Sequence, residues 1–268
     1  YTVQDRFNGT DQGNVVVTVT GVNDAPEAVD DVQYISEDSS KTFDPTLNDR
    51  DVDNGDVLHL ASAELDSGAR GEIGIRNGQI HYVSTNKFDE LPQGSSATES
   101  LTYSVSDQMG YQSVGTVDIV ITGVNDAPLS RTDKDLEFLE DVYAYSISEE
   151  LLANDTDVDL GDSVIVREFE NNHPINPVRD SVLSLVGGDL LFSPSGYYDD
   201  LKEGEIENAS FTYFAQDTFG ASSDRTTVDV TIKGVNDTPT LIPFTDLSVT
   251  ESGATDQIAI AEVAVDVD

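Results

Sequence analysis

The run TVDIVITGVNDAP (116–128) holds two signals side by side. Its first half alternates Val117, Ile119 and Ile121 with other residues, the period of a half-buried β-strand. Its second half is a turn-forming linker: Asn and Asp favour Asx turns, and Pro128 keeps the preceding residue out of a helix. The linker recurs as GVNDAP (21–26) and GVNDTP (234–239). Upstream of each copy lies a matching segment, YTVQDRFNG (1–9), YSVSDQMGY (103–111) and YFAQDTFGA (213–221). A third block, FDELPQGSSATESLTY (88–103), aligns without a gap on YDDLKEGEIENASFTY (198–213).

This self-similarity divides the chain before any other argument is needed. It predicts the last two strands of one repeat at 1–22, with VVVTVT (15–20) among them. Complete repeats follow at 23–124 and 125–235, and the opening part of another occupies 236–268. Each repeat reads as all-β, about seven short strands in a hundred residues, as in an immunoglobulin-like sandwich. IRNGQIHY (75–82) carries an Asn-Gly hairpin turn, and LVGGDLLF (185–192) carries Gly-Gly-Asp in the matching place. ISEELLAND (147–155) has helical character, but its alignment with the other repeat favours strand and loop.

Composition narrows the partners. Against 13 Lys+Arg stand 52 Asp+Glu, a net charge of −39, which repels nucleic acid and anionic membranes and favours cations. The absence of Cys excludes disulfides, thiolate zinc and iron–sulfur sites. No apolar run approaches the ~18 residues of a membrane span, so no direct insertion is expected. His59, His81 and His173 share no motif, and Tyr103 and Tyr213 are expected in the core with their hydroxyls bonded to a corner.

The acidic residues concentrate in loops, NDRDVDNGD (48–56) and NDTDVDLGD (154–162), with DVD beginning again at 266–268. Hard cations such as calcium take six to eight oxygen ligands, and Asp at every second position of a tight loop aims two carboxylates at one point. Gly55 and Gly161 permit the positive φ such a turn needs. An EF-hand is excluded. Counting from Asp49, the glycine falls at position seven instead of six, and Leu60 or, in the second copy, Val166 sits where a bidentate Glu is required.

In a sandwich the acidic loop joins the second and third strands, and Asp107 or Asp217 follows the sixth. Both loops then lie beside the incoming linker. Asn23, Asp24, Asp51, Asp53 and Asp107 are expected to converge at one junction, and Asn125, Asp126, Asp157, Asp159 and Asp217 at the next. From the opposite pole of each module, Glu37 and Asp89 are expected to serve the second junction. Glu140 and Asp199 would serve the third, with Asn236, Asp237, Asp266 and Asp268.

Together these motifs resemble the cadherin-like or VCBS-type tandem repeats of large secreted bacterial RTX adhesins. The resemblance implies calcium held between successive Ig-like domains, with linker Asn/Asp, an Asp-x-Asp loop and a base Glu sharing the ions. It implies a non-enzymatic, monomeric, extracellular or cell-surface extender that serves adhesion and biofilm formation, its partners being its own neighbouring repeats. A repeat binding a carbohydrate or protein through calcium is the alternative. Nearly every acidic motif is duplicated, which argues against a catalytic pair. Two departures stand out: Arg50 lies inside the first acidic loop, and ESG (251–253) replaces the Glu-Asp pair of the earlier first strands.

Overall fold

The computed structural model describes residues 1–171, 182–241 and 264–265. The chain forms two compact units: Tyr1–Phe88 with Ser96–Thr122, and Asp89–Ser95 with the chain from Gly123 onward. A short hairpin, β1 (Thr2–Gln4) and β2 (Thr10–Gln12), precedes the first sandwich.

In the first unit seven strands follow the linker. They are β3 (Asp31–Ser36), β4 (Ser40–Phe43), β5 (His59–Leu65), β6 (Glu72–Arg76), β7 (Gln79–Val83), β8 (Ser96–Ser106) and β9 (Gln112–Thr122). One sheet runs β3-β9-β8-β5 and the other β4-β7-β6, with β3 parallel to β9 and the remaining pairs antiparallel. The period-two pattern of β9 buries Val117, Ile119 and Ile121 and leaves Thr116, Asp118 and Thr122 in water. Asn77 (φ 52°) and Gly78 (φ 75°) make the two-residue turn between β6 and β7.

The second unit repeats the plan with β10 (Leu136–Leu139), β11 (Tyr145–Ser146), β12 (Ile165–Asn171), β13 (Leu183–Val186), β14 (Asp189–Phe192), β15 (Ile206–Gln216) and β16 (Thr226–Lys233). Its sheets are β10-β16-β15-β12 and β11-β14-β13, again with one parallel pair, β10 with β16. Gly187 and Gly188 take positive φ at the β13–β14 turn. Leu190, Phe192, Tyr198, Phe211, Tyr213, Val228 and Ile232 fill the space between the sheets. Beyond it, β17 (Thr240–Leu241) pairs with β18 (Ala264–Val265).

The structure corrects two expectations. ISEELLAND is not strand and loop: α1 (Ser148–Leu152) forms there and buries Leu151. Its counterpart is a 3-10 turn, Pro45–Asn48, with buried Pro45 in the place of Leu151 and Asp44 capping the Thr46 N–H. Glu149 and Glu150 in the first turn suit the helix dipole. VVVTVT (15–20) forms no strand, and Val16 and Val19 are 88% and 87% exposed. The matching residues 117–122 are a strand because β3 and β8 flank them. Residues 15–20 have no such neighbours in the first unit, and extended backbone without a ladder is not a stable strand.

Candidate metal centre

Each acidic loop is tied to the linker that enters its own unit. Glu27 and Arg50 exchange both backbone hydrogen bonds, at 2.7 and 3.1 Å, and Leu129 and Thr156 do the same at 2.8 and 3.1 Å. Arg50 thus meets the linker through its main chain. The linker Asn–Asp pair is fixed alike in both units. Asn23 Nδ2 donates to Asp107 Oδ2 at 2.7 Å, and the Asp24 N–H donates to Asp53 Oδ2 at 2.8 Å. Asn125 and Asp126 make the same bonds to Asp217 and Asp159, at 2.7 and 2.9 Å.

Inside each loop the Asp-x-Asp pair forms an Asx turn: the Asp53 N–H donates to Asp51 Oδ1 and the Asp159 N–H to Asp157 Oδ1. Gly55 (φ 101°) and Gly161 (φ 89°) then turn the chain back, as the sequence required. The return places Asp56 and Asp162 in the clusters. Asp51, Asp56 and Asp107 present oxygens all within 4.8 Å of one another, and so do Asp157, Asp162 and Asp217. Asp56 and Asp162 were missed by the sequence reading, although the final Asp of each nine-residue loop was a repeated and readable signal.

The roles within each cluster differ. Asp107 and Asp217 are buried and saturated with donors. Asp217 Oδ1 alone receives the N–H groups of Phe219, Gly220 and Ala221. Burial works to raise the Asp107 pKa, but Asn23 and the N–H groups of Tyr111, Gly110 and Met109 outweigh it and hold the carboxyl below its ordinary value. Burial pushes Asp56 up, reinforced by Asp51, Asp107 and Asp53. Burial also raises Asp157, with the negative charges of Asp162, Asp159 and Asp217 adding to it.

Oδ2 of Asp51, Asp56, Asp157 and Asp162, Oδ1 of Asp159 and Oδ1 of Asn125 are buried without a hydrogen-bond partner among the described residues. Orphaned acceptors packed this closely, most of them carboxylate oxygens, repel one another unless something positive meets them. In the second unit Asp89 joins Asp126 and Asp157 around a cleft of about 420 Å³, and the Leu160 N–H holds the Glu90 carbonyl at 3.1 Å.

A second acidic group lies in the same unit beyond the end of β10. Glu140 is fully buried, its Oε1 accepts the Val235 N–H at 2.6 Å, and its Oε2 has no partner among the described residues. Burial raises its pKa, and the charges of Asp237, Asp141 and Asp199 raise it further. Asn236 Nδ2 donates to the Asp237 carbonyl at 2.8 Å, as Asn125 does to Asp126. Glu37 occupies the matching place in the first unit, buried, with its N–H on the Thr122 carbonyl. Asp266, Asp268, the ESG segment and His173 lie outside the described residues.

The donor set fits calcium. With ligand distances of about 2.3–2.6 Å, oxygens on opposite sides of the ion stand about 4.6–5.2 Å apart, and those at smaller angles stand closer. Three carboxylates mutually within 4.8 Å satisfy that spacing.

Each unit is a seven-strand immunoglobulin-like sandwich with its acidic loop beside its own linker. Consistent with it, residues 23–123 match the family model of the bacterial cadherin-like domain. Two crystal forms of human Protocadherin-24 EC1-2 share the fold at TM-scores of 0.51 and 0.50, with 15% and 16% identity. Each alignment covers 81% of this chain and 100% of the other. No curated protein sequence matches the chain.

Proposed function

We propose that this chain is a non-enzymatic, calcium-rigidified extender of a secreted or cell-surface adhesin, of the RTX type that serves attachment and biofilm formation. On this reading 23–124 and 125–235 are complete repeats, 1–22 closes a preceding one and 236–268 opens a following one. Neighbouring repeats are then the chain's principal partners, and the molecule is a monomer.

The observation that supports this most is the same oxygen cluster built twice from equivalent residues, with buried carboxylate oxygens facing one another unpartnered. An ion there neutralises carboxylates on a loop already bonded to the linker, so the linker loses freedom when calcium binds. Asp51, Asp56 and Asp107, or Asp157, Asp162 and Asp217, supply the carboxylates, with Asn125 Oδ1 and Asp89 as further donors in the second unit. Asp53 and Asp159 hold the linker N–H and position the loop. The Glu140, Asp199 and Asp237 group would take an ion in the same manner.

Small-angle scattering of the whole chain, with calcium and then with chelator, tests the stiffening. Calcium should narrow the distribution of chain dimensions. Superimposable profiles would contradict the mechanism.

A further inference from the structure

Each GVND linker begins with glycine, and in two of the three copies nothing larger fits. A Cβ on Gly123 would stand 2.5 Å from both the Leu91 and the Pro92 carbonyl oxygens. One on Gly234 would meet the Lys202 carbonyl oxygen more closely still, and would lie 2.9 Å from that of Leu201. These neighbours are main-chain atoms, so the backbone itself must move to admit a methyl group. Gly21, in the same motif, has nothing within 4 Å of its Cβ position among the described residues.

What crowds each glycine is a turn laid across it and bonded to it. The Gly123 N–H donates to the Ser95 carbonyl and the Gly94 N–H to the Gly123 carbonyl, both at 3.0 Å. In the second copy the Gly234 N–H donates to the Glu205 carbonyl at 2.9 Å, and the Gly204 N–H to the Gly234 carbonyl at 3.0 Å. Each turn also closes on itself: the Ser95 N–H bonds the Pro92 carbonyl at 2.9 Å, and the Glu205 N–H bonds that of Lys202 at 2.8 Å. Glu140 grips the residues on either side of Gly234. Its N–H donates to the Lys233 carbonyl at 3.1 Å, and its Oε1 accepts the Val235 N–H at 2.6 Å.

The consequence is positional. Asp89 and Asp199 lie two residues before Leu91 and Leu201, and Asn125 and Asn236 lie two residues after Gly123 and Gly234. Backbone pressed on backbone leaves little slack between those points.

We propose that Gly123 and Gly234 are positioning residues: by admitting the turn, each holds the linker's Asn–Asp pair in a set place relative to the acidic residue before the turn, Asp89 or Asp199. The ion-binding consequence rests on the calcium reading above, in which Asp89 and Asn125 Oδ1 serve one cluster. The placement itself does not depend on that reading.

The test compares Gly21→Ala, Gly123→Ala and Gly234→Ala in the whole chain. In chelator, amide exchange of Gly94 in Gly123→Ala, and of Gly204 and Val235 in Gly234→Ala, should be at least tenfold faster than in wild type. The core amides of Ile119 and Val230 should change less, whereas a glycine that served stability alone would speed all of them alike. Gly21→Ala should leave every rate at its wild-type value. With calcium added, Gly123→Ala should weaken binding at the second unit's cluster several-fold in a calorimetric titration and spare the first unit's. If Gly123→Ala does not fold, Ser95→Ala serves instead. It removes the 2.7 Å bond from the Ser95 hydroxyl to the Pro92 carbonyl without crowding the turn, and should speed Gly94 exchange in the same selective way. Gly94 and Gly204 rates that rise no more than those of the core would overturn the proposal, as would calcium affinity unchanged in Gly123→Ala. A wild-type chain that binds no calcium would overturn the calcium reading instead, and the exchange rates would still decide the placement.

Discussion

At the scale of single residues, Asp51, Asp53 and Asp56, and likewise Asp157, Asp159 and Asp162, do different work. Asp53 and Asp159 spend an oxygen on the linker N–H, whereas Asp56 and Asp162 keep Oδ2 buried and open. Replacing Asp162 with Asn should weaken calcium binding at the second unit's cluster at least tenfold in a calorimetric titration and leave the first unit's cluster unchanged. The sequence displayed these Asp side chains but not the direction of each, which depends on the Asx turn and on Gly161. Tyr213 allows a separate check. Its hydroxyl reaches the Leu151 carbonyl and Asp155, so Tyr213→Phe should cost about 1 kcal/mol in urea unfolding, with little change in calcium affinity. At Gly115 a methyl group would lie 2.6 Å from a Tyr103 ring carbon, so Gly115→Ala should cost about 1–3 kcal/mol by overpacking.

At the scale of elements, periodicity was a reliable guide wherever a strand has neighbours. The strand β9 lies where alternation placed it, and the Asn-Gly and Gly-Gly turns connect the expected pairs. The same alternation in 15–20 yields no strand, because pattern specifies which face would be buried but cannot supply the sheet that buries it. For α1 the error had a different source. Alignment assigned it the strand-and-loop form of the other repeat, but the two repeats close that corner of the core differently, one with Pro45 and one with a helical turn carrying Leu151. Leu151→Ala should therefore destabilise the second unit by about 2–5 kcal/mol, seen as an earlier transition of that unit in denaturant.

At the scale of the whole molecule, a net charge of −39 works against the compact state by self-repulsion, which bound cations relieve. An ion that binds only the folded state, at about ten times its Kd, adds about 1.4 kcal/mol per site. Calcium should therefore raise the melting temperature in a concentration-dependent way. Magnesium at equal concentration should do less, since it gives up its water reluctantly and demands near-ideal octahedral geometry. The most direct measurement is a calorimetric calcium titration of the intact chain beside one carrying both Asp157→Asn and Asp162→Asn. The two-cluster account predicts binding by the wild-type chain and loss of the second unit's component alone in the variant. Wild-type binding absent at millimolar calcium, or a variant isotherm identical to wild type, would contradict it.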